Sequence, residues 1–241
     1  MFEFCLLWAG FVLLSLGPRM KLHWEANRAM RLLKNGGDLN VMVSEMDRLA
    51  RKARHRQTLQ MLKIAKSAGL VYLGRWESAI EVLESMSKSE FRMDLHKTLY
   101  LNNLLYAYLL AGSYSKARSL FVLEETLIVP ERKHSEINQA VVSTLATYRY
   151  FFDSPESSRR LFERLAEIEM DKRPRASILY FLGRLDLHEG KEQSGWQKIE
   201  ESRLCSLGTF VELEVDALKS GKQRIGAPGD GALQPVEFPK G

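Results

Sequence analysis

The stretch Leu70-Val-Tyr-Leu-Gly-Arg-Trp-Glu-Ser-Ala-Ile-Glu-Val-Leu-Glu-Ser-Met86 decides the fold of this chain. Its apolar residues recur three and four positions apart on both sides of Gly74 and Arg75, which predicts two helices joined by a tight turn. Glycine suits the turn because it adopts a left-handed backbone without steric cost, and Ala79 is small enough to let the two helices approach closely. A single hairpin leaves one apolar face open, so we expect further copies beside it.

Four further copies of this pattern are present. The turn residues are Gly37, Gly74, Gly112, Asp153 and Gly190, so neighbouring turns are 37 to 41 residues apart. In the last four copies a small residue follows the turn residue by five positions: Ala79, Ala117, Ser158 and Gly195. Near-regular spacing of this length is typical of stacked helical repeats, so the sequence predicts an all-α fold.

The copies resemble the tetratricopeptide repeat (TPR), a helix-turn-helix unit of about 34 residues. The matching positions are Leu182, Gly183, Tyr108, Gly112, Tyr114, Ala117, Phe121, Gly74, Trp76 and Ala79. The resemblance covers residues 22–202 and implies an α-solenoid of about five hairpins within a domain of residues 19–219. Two features depart from the family pattern: the spacing is longer, and Met30 and Leu105 stand where the family has a small residue.

The resemblance also implies a binding surface. In this family the first helices of successive units line a concave groove, which can hold an extended peptide or a helix. The groove residues that it implies here are Asn102, Tyr106, Leu109, Ser143, Thr147, Tyr150, Tyr180, Arg184 and Leu187. Many members bind a C-terminal carboxylate through lysine and asparagine side chains. Because the lysines are missing here, we expect a protein or peptide partner without that clamp.

Residues 1–18 differ from the rest of the chain, because the fifteen residues from Phe4 to Pro18 carry no charge. A helix usually needs about 20 residues to span a bilayer, but bilayer thinning and the reach of Arg19 and Lys21 would make up the difference. We interpret the segment as a single membrane anchor, and the basic residues that follow it then place the repeats in the cytoplasm. Two alternatives stay open: a signal peptide cleaved near residues 15–17, and an apolar helix docked in the core.

The densest basic cluster follows the second predicted helix. It consists of Arg48, Arg51, Lys52, Arg54 and Arg56. A solvated helix end is one explanation, because cations complement the helix dipole there. Contact with anionic lipid headgroups beside the anchor is another, worth about 1 kcal/mol per charge. We do not expect nucleic-acid binding, because no aromatic residue is interleaved with these charges and no recognition motif accompanies them.

The C-terminal part is predicted to contain one helix and a tail. Apolar residues between Leu204 and Leu218 recur at helical spacing, with Glu212, Glu214 and Asp216 expected to point outward. Such a helix would close the last apolar face of the array. Residues 220–241 are rich in glycine and proline, and this composition predicts a disordered tail.

No constellation of catalytic or metal-binding residues is visible. The five histidines are scattered, the two cysteines are far apart, and the chain has no glycine-rich phosphate loop. We therefore expect no catalytic residues, cofactor, metal or small-molecule substrate. The predicted function is a non-catalytic, membrane-tethered scaffold that binds another protein. The alternatives are a soluble or peripheral accessory subunit of a larger enzyme complex and a basic nucleic-acid-binding helical protein.

Overall fold

A computed structural model describes residues 22, 24–33, 36–91, 94–128, 135–168, 170–222 and 224–233. Every regular element in these ranges is a helix, which confirms the predicted all-α class. The α-helices are α1 (24–33), α2 (Leu39–Lys52), α3 (Arg56–Tyr72), α4 (Trp76–Glu84), α5 (Asp94–Leu110), α6 (Tyr114–Ile128), α7 (Ser135–Phe152), α8 (Pro155–Ala166), α9 (Lys172–His188), α10 (Glu192–Cys205) and α11 (Phe210–Lys219). Two 3-10 helices span Lys88–Glu90 and Asp230–Leu233.

The predicted hydrophobic segment of residues 1–18 lies outside the described residues. Within the described ranges, every helix is too short or too polar to cross a bilayer.

Three turns between consecutive helices share one geometry. Gly74, Gly112 and Gly190 have φ angles of +71°, +70° and +76°. At Gly74 the amide donates to the carbonyl three residues back at 3.0 Å, and the next amide donates to the carbonyl five residues back at 2.9 Å. The same two bonds recur at Gly112 and Gly190. This Schellman arrangement satisfies the last carbonyls of one helix and reverses the chain, so each turn produces a helical hairpin.

A small buried residue stands at the same place in four second helices. Ala79, Ala117, Ser158 and Gly195 each follow the first residue of α4, α6, α8 or α10 by three positions, and all four are buried. In the α9–α10 hairpin, a Cβ on Gly195 would lie 3.0 Å from the carbonyl oxygen of Gly183. The two backbones therefore touch, and a larger side chain would force the helices apart.

The buried core forms two clusters, a large one that extends from α2 to α11 and a smaller one in α1, α2 and α3. α3 packs on α5 and α5 on α7, and each of these helices also packs on the second helix of its own hairpin. The aromatic run at the end of α7 belongs to this core, because Tyr150 and Phe151 are fully buried. Tyr148 stacks on Phe121 of α6 with ring centroids 4.1 Å apart.

The two ends of the array are in contact. Arg173, at the start of α9, is 2% exposed and donates to the carbonyls of Leu32 and Leu33 at the end of α1, at 2.7 and 2.8 Å. It also donates to the carbonyl of Leu207, between α10 and α11, at 3.0 Å. Leu207 has a left-handed φ of +48°, and its side chain lies against Gly36 in the α1–α2 turn. These contacts join the first hairpin to the last.

The terminal helix differs from the predicted one. α11 begins only at Phe210, and the break at residues 206–209 changes which face is buried. Leu204, predicted to lie in the apolar stripe, is 82% exposed at the end of α10, whereas Glu214, predicted to point outward, is fully buried. Phe210 packs edge-on against Trp76 of α4, with ring centroids 6.0 Å apart. α11 therefore packs against the second hairpin as well as against α9 and α10.

The prediction of a disordered tail over residues 220–241 does not hold for residues 224–233, here called the C-terminal segment. Ile225 is 1% exposed, and the 3-10 helix Asp230–Leu233 packs on α7. Composition predicted otherwise because the segment is rich in glycine, but glycine here lets the main chain approach other helices closely. Residues 234–241 lie outside the described residues.

Candidate functional site: a cavity and its covered end

A cavity of about 500 Å³ lies between α1, α3, α5, α7 and α9. Its volume falls in the range of about 300–1,000 Å³ that is typical of ligand pockets. Part of the wall is apolar and includes Leu33, Ala68, Val71 and Ile178. Hydroxyl and amide side chains interrupt this surface: Asn102, Asn103, Tyr106, Ser143, Thr144 and Ser177. The cavity thus combines apolar contact area with a few polar groups, as peptide and ligand sites do.

One buried polar atom in the wall, Oδ1 of Asn102 in α5, has no hydrogen-bond partner among the described residues. The hydroxyl of Ser177, in α9, interacts with that of Tyr106. Asn102 and Ser177 are both buried, at 5% and 4% exposure. By contrast, the amide of the neighbouring Asn103 donates to Ser67 and to the carbonyl of Ile64 at 3.2 Å each. An unpaired buried polar group costs about 1–3 kcal/mol, so Asn102 marks a position where a ligand can supply the missing partner.

The tyrosines of the wall are held in their neutral form. Burial raises the pKa of Tyr106, and the nearby hydroxyls of Ser177 and Thr147 oppose this rise only in part. Burial also raises the pKa of Tyr72 to about 12, although the charge of Arg173 opposes it. Arg173 itself points its guanidinium at main-chain carbonyls. Apart from Asp171 and Arg173, the residues that line the cavity are neutral, which suits a peptide main chain better than a charged ligand.

The structure places the nine predicted groove residues in three different environments. Asn102, Tyr106 and Ser143 line the cavity. Five others are buried in the core: Leu109, Thr147, Tyr150, Tyr180 and Arg184. Leu187 is half-buried and lies against the position of Gly195. The open part of the predicted groove is shorter than the resemblance implies, because the C-terminal segment covers one end of it.

The C-terminal segment is bound through its main chain. Arg184 of α9 donates to the carbonyls of Ile225 and Gly226 at 3.2 and 3.0 Å. The amide of Gly229 donates to the carbonyl of Tyr150 at 2.9 Å, which satisfies an acceptor in the last turn of α7. Arg184 also donates to the hydroxyl of Tyr180 at 2.9 Å. Three of the predicted groove residues, Tyr150, Tyr180 and Arg184, are therefore hydrogen-bonded to the C-terminal segment or to each other.

Glu214 and Arg224 complete this covered end. Oε2 of Glu214 accepts a hydrogen bond from the amide of Ile225 at 3.1 Å. Burial raises the pKa of Glu214, while the Ile225 amide and the charge of Arg224 oppose the rise. The guanidinium of Arg224 lies over the ring of Trp76 at 4.5 Å and donates to the carbonyl of Gly74 at 3.1 Å. Glu214 thus holds the segment through the amide of Ile225, and the ring of Trp76 and the carbonyl of Gly74 hold it through the guanidinium of Arg224.

The predicted lipid-headgroup residues lie at the end of α2 and the start of α3. Arg48 forms ion pairs with Glu25 and Glu45 at 2.8 and 2.7 Å. The other four are exposed: Arg51, Lys52, Arg54 and Arg56. Because Arg48 is ion-paired with Glu25 and Glu45, it takes part in contacts within and between the first helices. Binding of lipid headgroups by the four exposed residues stays a prediction.

Sequence reasoning missed four residues of this region: Arg173, Ser177, Glu214 and Ile225. Ser177 had a usable signal, because it stands seven positions before Arg184 and therefore on the same helix face. Glu214 also had one, since it follows Phe210 by four positions and precedes an apolar residue. Arg173 had none, because it donates to main-chain carbonyls about 140 positions away. Ile225 had none, because its own amide and carbonyl make its hydrogen bonds to Glu214 and Arg184.

Among the described residues, no group of three or more histidine, cysteine or acidic side chains could hold a metal ion. Comparison of the chain with protein-family models, with curated proteins and with solved structures gives no match. Function therefore has to be inferred from the geometry of the cavity and of the C-terminal segment.

Proposed function

We propose that the chain is a non-catalytic protein-interaction scaffold that binds a peptide segment of a partner in the cavity. In this proposal residues 19–219 form about five TPR-like hairpins in a solenoid, and their first helices present the binding surface. Two features support this register: the turns at Gly74, Gly112 and Gly190 share one geometry, and the buried residues Ala79 and Ala117 occupy equivalent positions.

The unpaired Oδ1 of Asn102 carries the proposal, and the hydroxyl of Ser177 is a second polar group in the wall of the same cavity. The two residues belong to different helices, α5 and α9. A folded protein tolerates an unpaired buried group where a ligand completes its hydrogen bonds. A peptide provides an amide donor and a carbonyl acceptor at every residue, and its side chains would contact the apolar wall. An extended peptide is therefore the ligand class that fits the mixture of groups.

The test is to select peptides on the full chain, kept soluble in mild detergent, and to measure their affinity for cavity variants. Asn102→Leu and Ser177→Val each remove one polar anchor while keeping most of the side-chain volume. Each change should weaken a selected peptide about tenfold, since a lost hydrogen bond to a buried group is worth about 1–1.5 kcal/mol.

Gln193→Leu is the matched control, because it replaces an amide by leucine at an exposed position of α10. It should leave the affinity unchanged. If both cavity variants bind the selected peptides as tightly as the unaltered chain, the peptides occupy another surface and the proposal is wrong.

We further propose that residues 1–18 tether the scaffold to a membrane with the repeats on the cytoplasmic side, and that the basic cluster contacts anionic headgroups. The exposed positions of Arg51, Lys52 and Arg54 support the second part. The full chain should float with phosphatidylcholine vesicles. Phosphatidylserine in the vesicles should increase the fraction of the chain that floats, and added salt should reduce this increase. Reversal of these three charges should remove the effect of phosphatidylserine while leaving the basal flotation.

A further inference from the structure

The open cavity and the C-terminal segment lie on the same face of two helices, one behind the other. In α7, Ser143 lines the cavity and Tyr150, seven residues later, binds the segment. In α9, Ser177 lines the cavity and Arg184, again seven residues later, binds the segment. Residues seven apart in an α-helix lie on the same side. The segment therefore occupies the continuation of the surface that we propose as the peptide site.

The contacts of the segment are those of a bound peptide. Arg184 and Glu214 pair with main-chain groups, so they would recognise any extended chain placed there. Both are nine-tenths or more buried, at 5% and 0% exposure. A buried arginine and a buried glutamate are costly without hydrogen bonds. The carbonyls of Ile225 and Gly226 accept from Arg184, and the amide of Ile225 donates to Oε2 of Glu214.

Side chains add selectivity at three consecutive positions. The cation of Arg224 lies over the ring of Trp76 and near Glu214, with Nε 3.7 Å from a carboxylate oxygen. Ile225 is 1% exposed. At Gly226 a Cβ would overlap the hydroxyl of Tyr114, so only glycine fits without a shift of that ring. The surface that binds the segment thus favours a peptide in which a cationic residue is followed by an aliphatic residue and then by glycine.

We infer that Tyr150, Arg184 and Glu214 form a second peptide-docking site, and that the chain's own residues 224–233 occupy it until a partner segment of the order cation, aliphatic residue, glycine replaces them. This inference rests on the proposed function, because it extends the peptide surface beyond the cavity. Partner binding at the docking site then requires displacement of the C-terminal segment, which makes the segment an internal competitor.

The test uses the full chain and a labelled peptide of residues 222–233. Ile225→Asp in the chain places a second carboxylate beside buried Glu214 and should displace the segment while leaving Tyr150 and Arg184 in place. A tethered competitor has an effective concentration of about 1 mM, so with a peptide Kd of about 10 µM the unaltered chain should bind about 100-fold more weakly than Ile225→Asp. Ala232→Asp is the control: it adds the same charge at an exposed position of the segment and should behave like the unaltered chain.

A peptide that itself carries aspartate in place of Ile225 should bind neither chain. Two outcomes overturn the inference: Ile225→Asp keeps its helical circular dichroism but does not bind the peptide, or Ile225→Asp loses its helical structure, which would make the segment an integral part of the core. Asn102→Leu combined with Ile225→Asp should bind the labelled peptide as tightly as Ile225→Asp alone, so failure of the proposed cavity function can be told from failure of this inference.

Discussion

Arg159 of α8 holds the carboxylate of Asp186 of α9, with Nη1 2.8 Å from Oδ1. The side chain of Asp186 is 3% exposed, and its other oxygen accepts hydrogen bonds from Ser194, at 2.6 Å, and from Lys198 of α10. Burial acts to raise the pKa of this carboxyl, but the bonds from Lys198, Ser194 and Arg159 hold it at about 2. One buried carboxylate thus joins the fourth hairpin to both helices of the fifth.

Asp186→Asn should lower the free energy of unfolding by about 2 kcal/mol, because a neutral amide leaves the two cations without their buried counter-charge. Urea unfolding followed by circular dichroism measures the change. Glu156→Gln is the control, since its pair with Arg160 is exposed on both sides, and it should change stability by less than about 0.5 kcal/mol. Equal effects of the two substitutions would contradict the role given to the buried carboxylate.

Stability should fall in acid through the same residue. The carboxyl pKa is 3.8 in the unfolded reference and about 2 in the folded protein. A lowered pKa contributes stability above the unfolded value, and this contribution is lost as the pH falls through the folded value. About 2 kcal/mol should therefore disappear between about pH 4 and pH 2. Thermal unfolding at stepped pH measures it, and the difference between the unaltered chain and Asp186→Asn should shrink over this interval.

Replacement of the adjacent residues Asn102 and Asn103 of α5 by leucine should change the free energy of unfolding in opposite directions. Asn102→Leu removes a buried acceptor that has no partner among the described residues, so it should raise the free energy of unfolding by about 1 kcal/mol. Asn103→Leu removes the two hydrogen bonds that Asn103 donates to Ser67 and to the carbonyl of Ile64, so it should cost about 1–3 kcal/mol. Urea unfolding of the two variants checks the pair. Destabilisation by both would show that Asn102 serves the fold rather than a ligand.

Arg173→Lys should loosen the contact between the first and last hairpins. A lysine keeps the charge but cannot present the planar fork that reaches the carbonyls of Leu32, Leu33 and Leu207 together. We expect a loss of about 2–3 kcal/mol and faster amide hydrogen exchange in α1 and α2.

The control for that prediction is Arg175→Lys, because Arg175 forms only a half-exposed pair with Glu201. It should change neither quantity measurably. If α1 exchanges at the same rate in Arg173→Lys as in the unaltered chain, the two ends are held together by other contacts.

The hairpins could be predicted because local rules determine them. Gly74, Gly112 and Gly190 occupy left-handed turns as expected, and the small residues five positions later are buried. These features depend on steric limits within a few residues, which a single sequence displays directly.

The path of the array could not be predicted in the same way. The contact of Arg173 with α1 joins residues about 140 positions apart, and it is made to carbonyls, which every residue carries. The position of Ile225 likewise depends on its own main chain: its amide donates to the Glu214 carboxylate, and its carbonyl accepts from the Arg184 guanidinium. Hydrophobic spacing carries no record of such bonds, and six of the nine predicted groove residues proved to be buried.

The contact between Arg173 and the two terminal hairpins has a consequence for how the protein can change in length. An open row of repeats can fray from either end and tolerates the gain or loss of a unit, because each unit touches only its neighbours. Here the contacts of Arg173 and Leu207 join the described first and last hairpins, so neither can melt without breaking them. One hairpin more or fewer would separate Leu207 from Gly36, and we expect unfolding to proceed as one cooperative event.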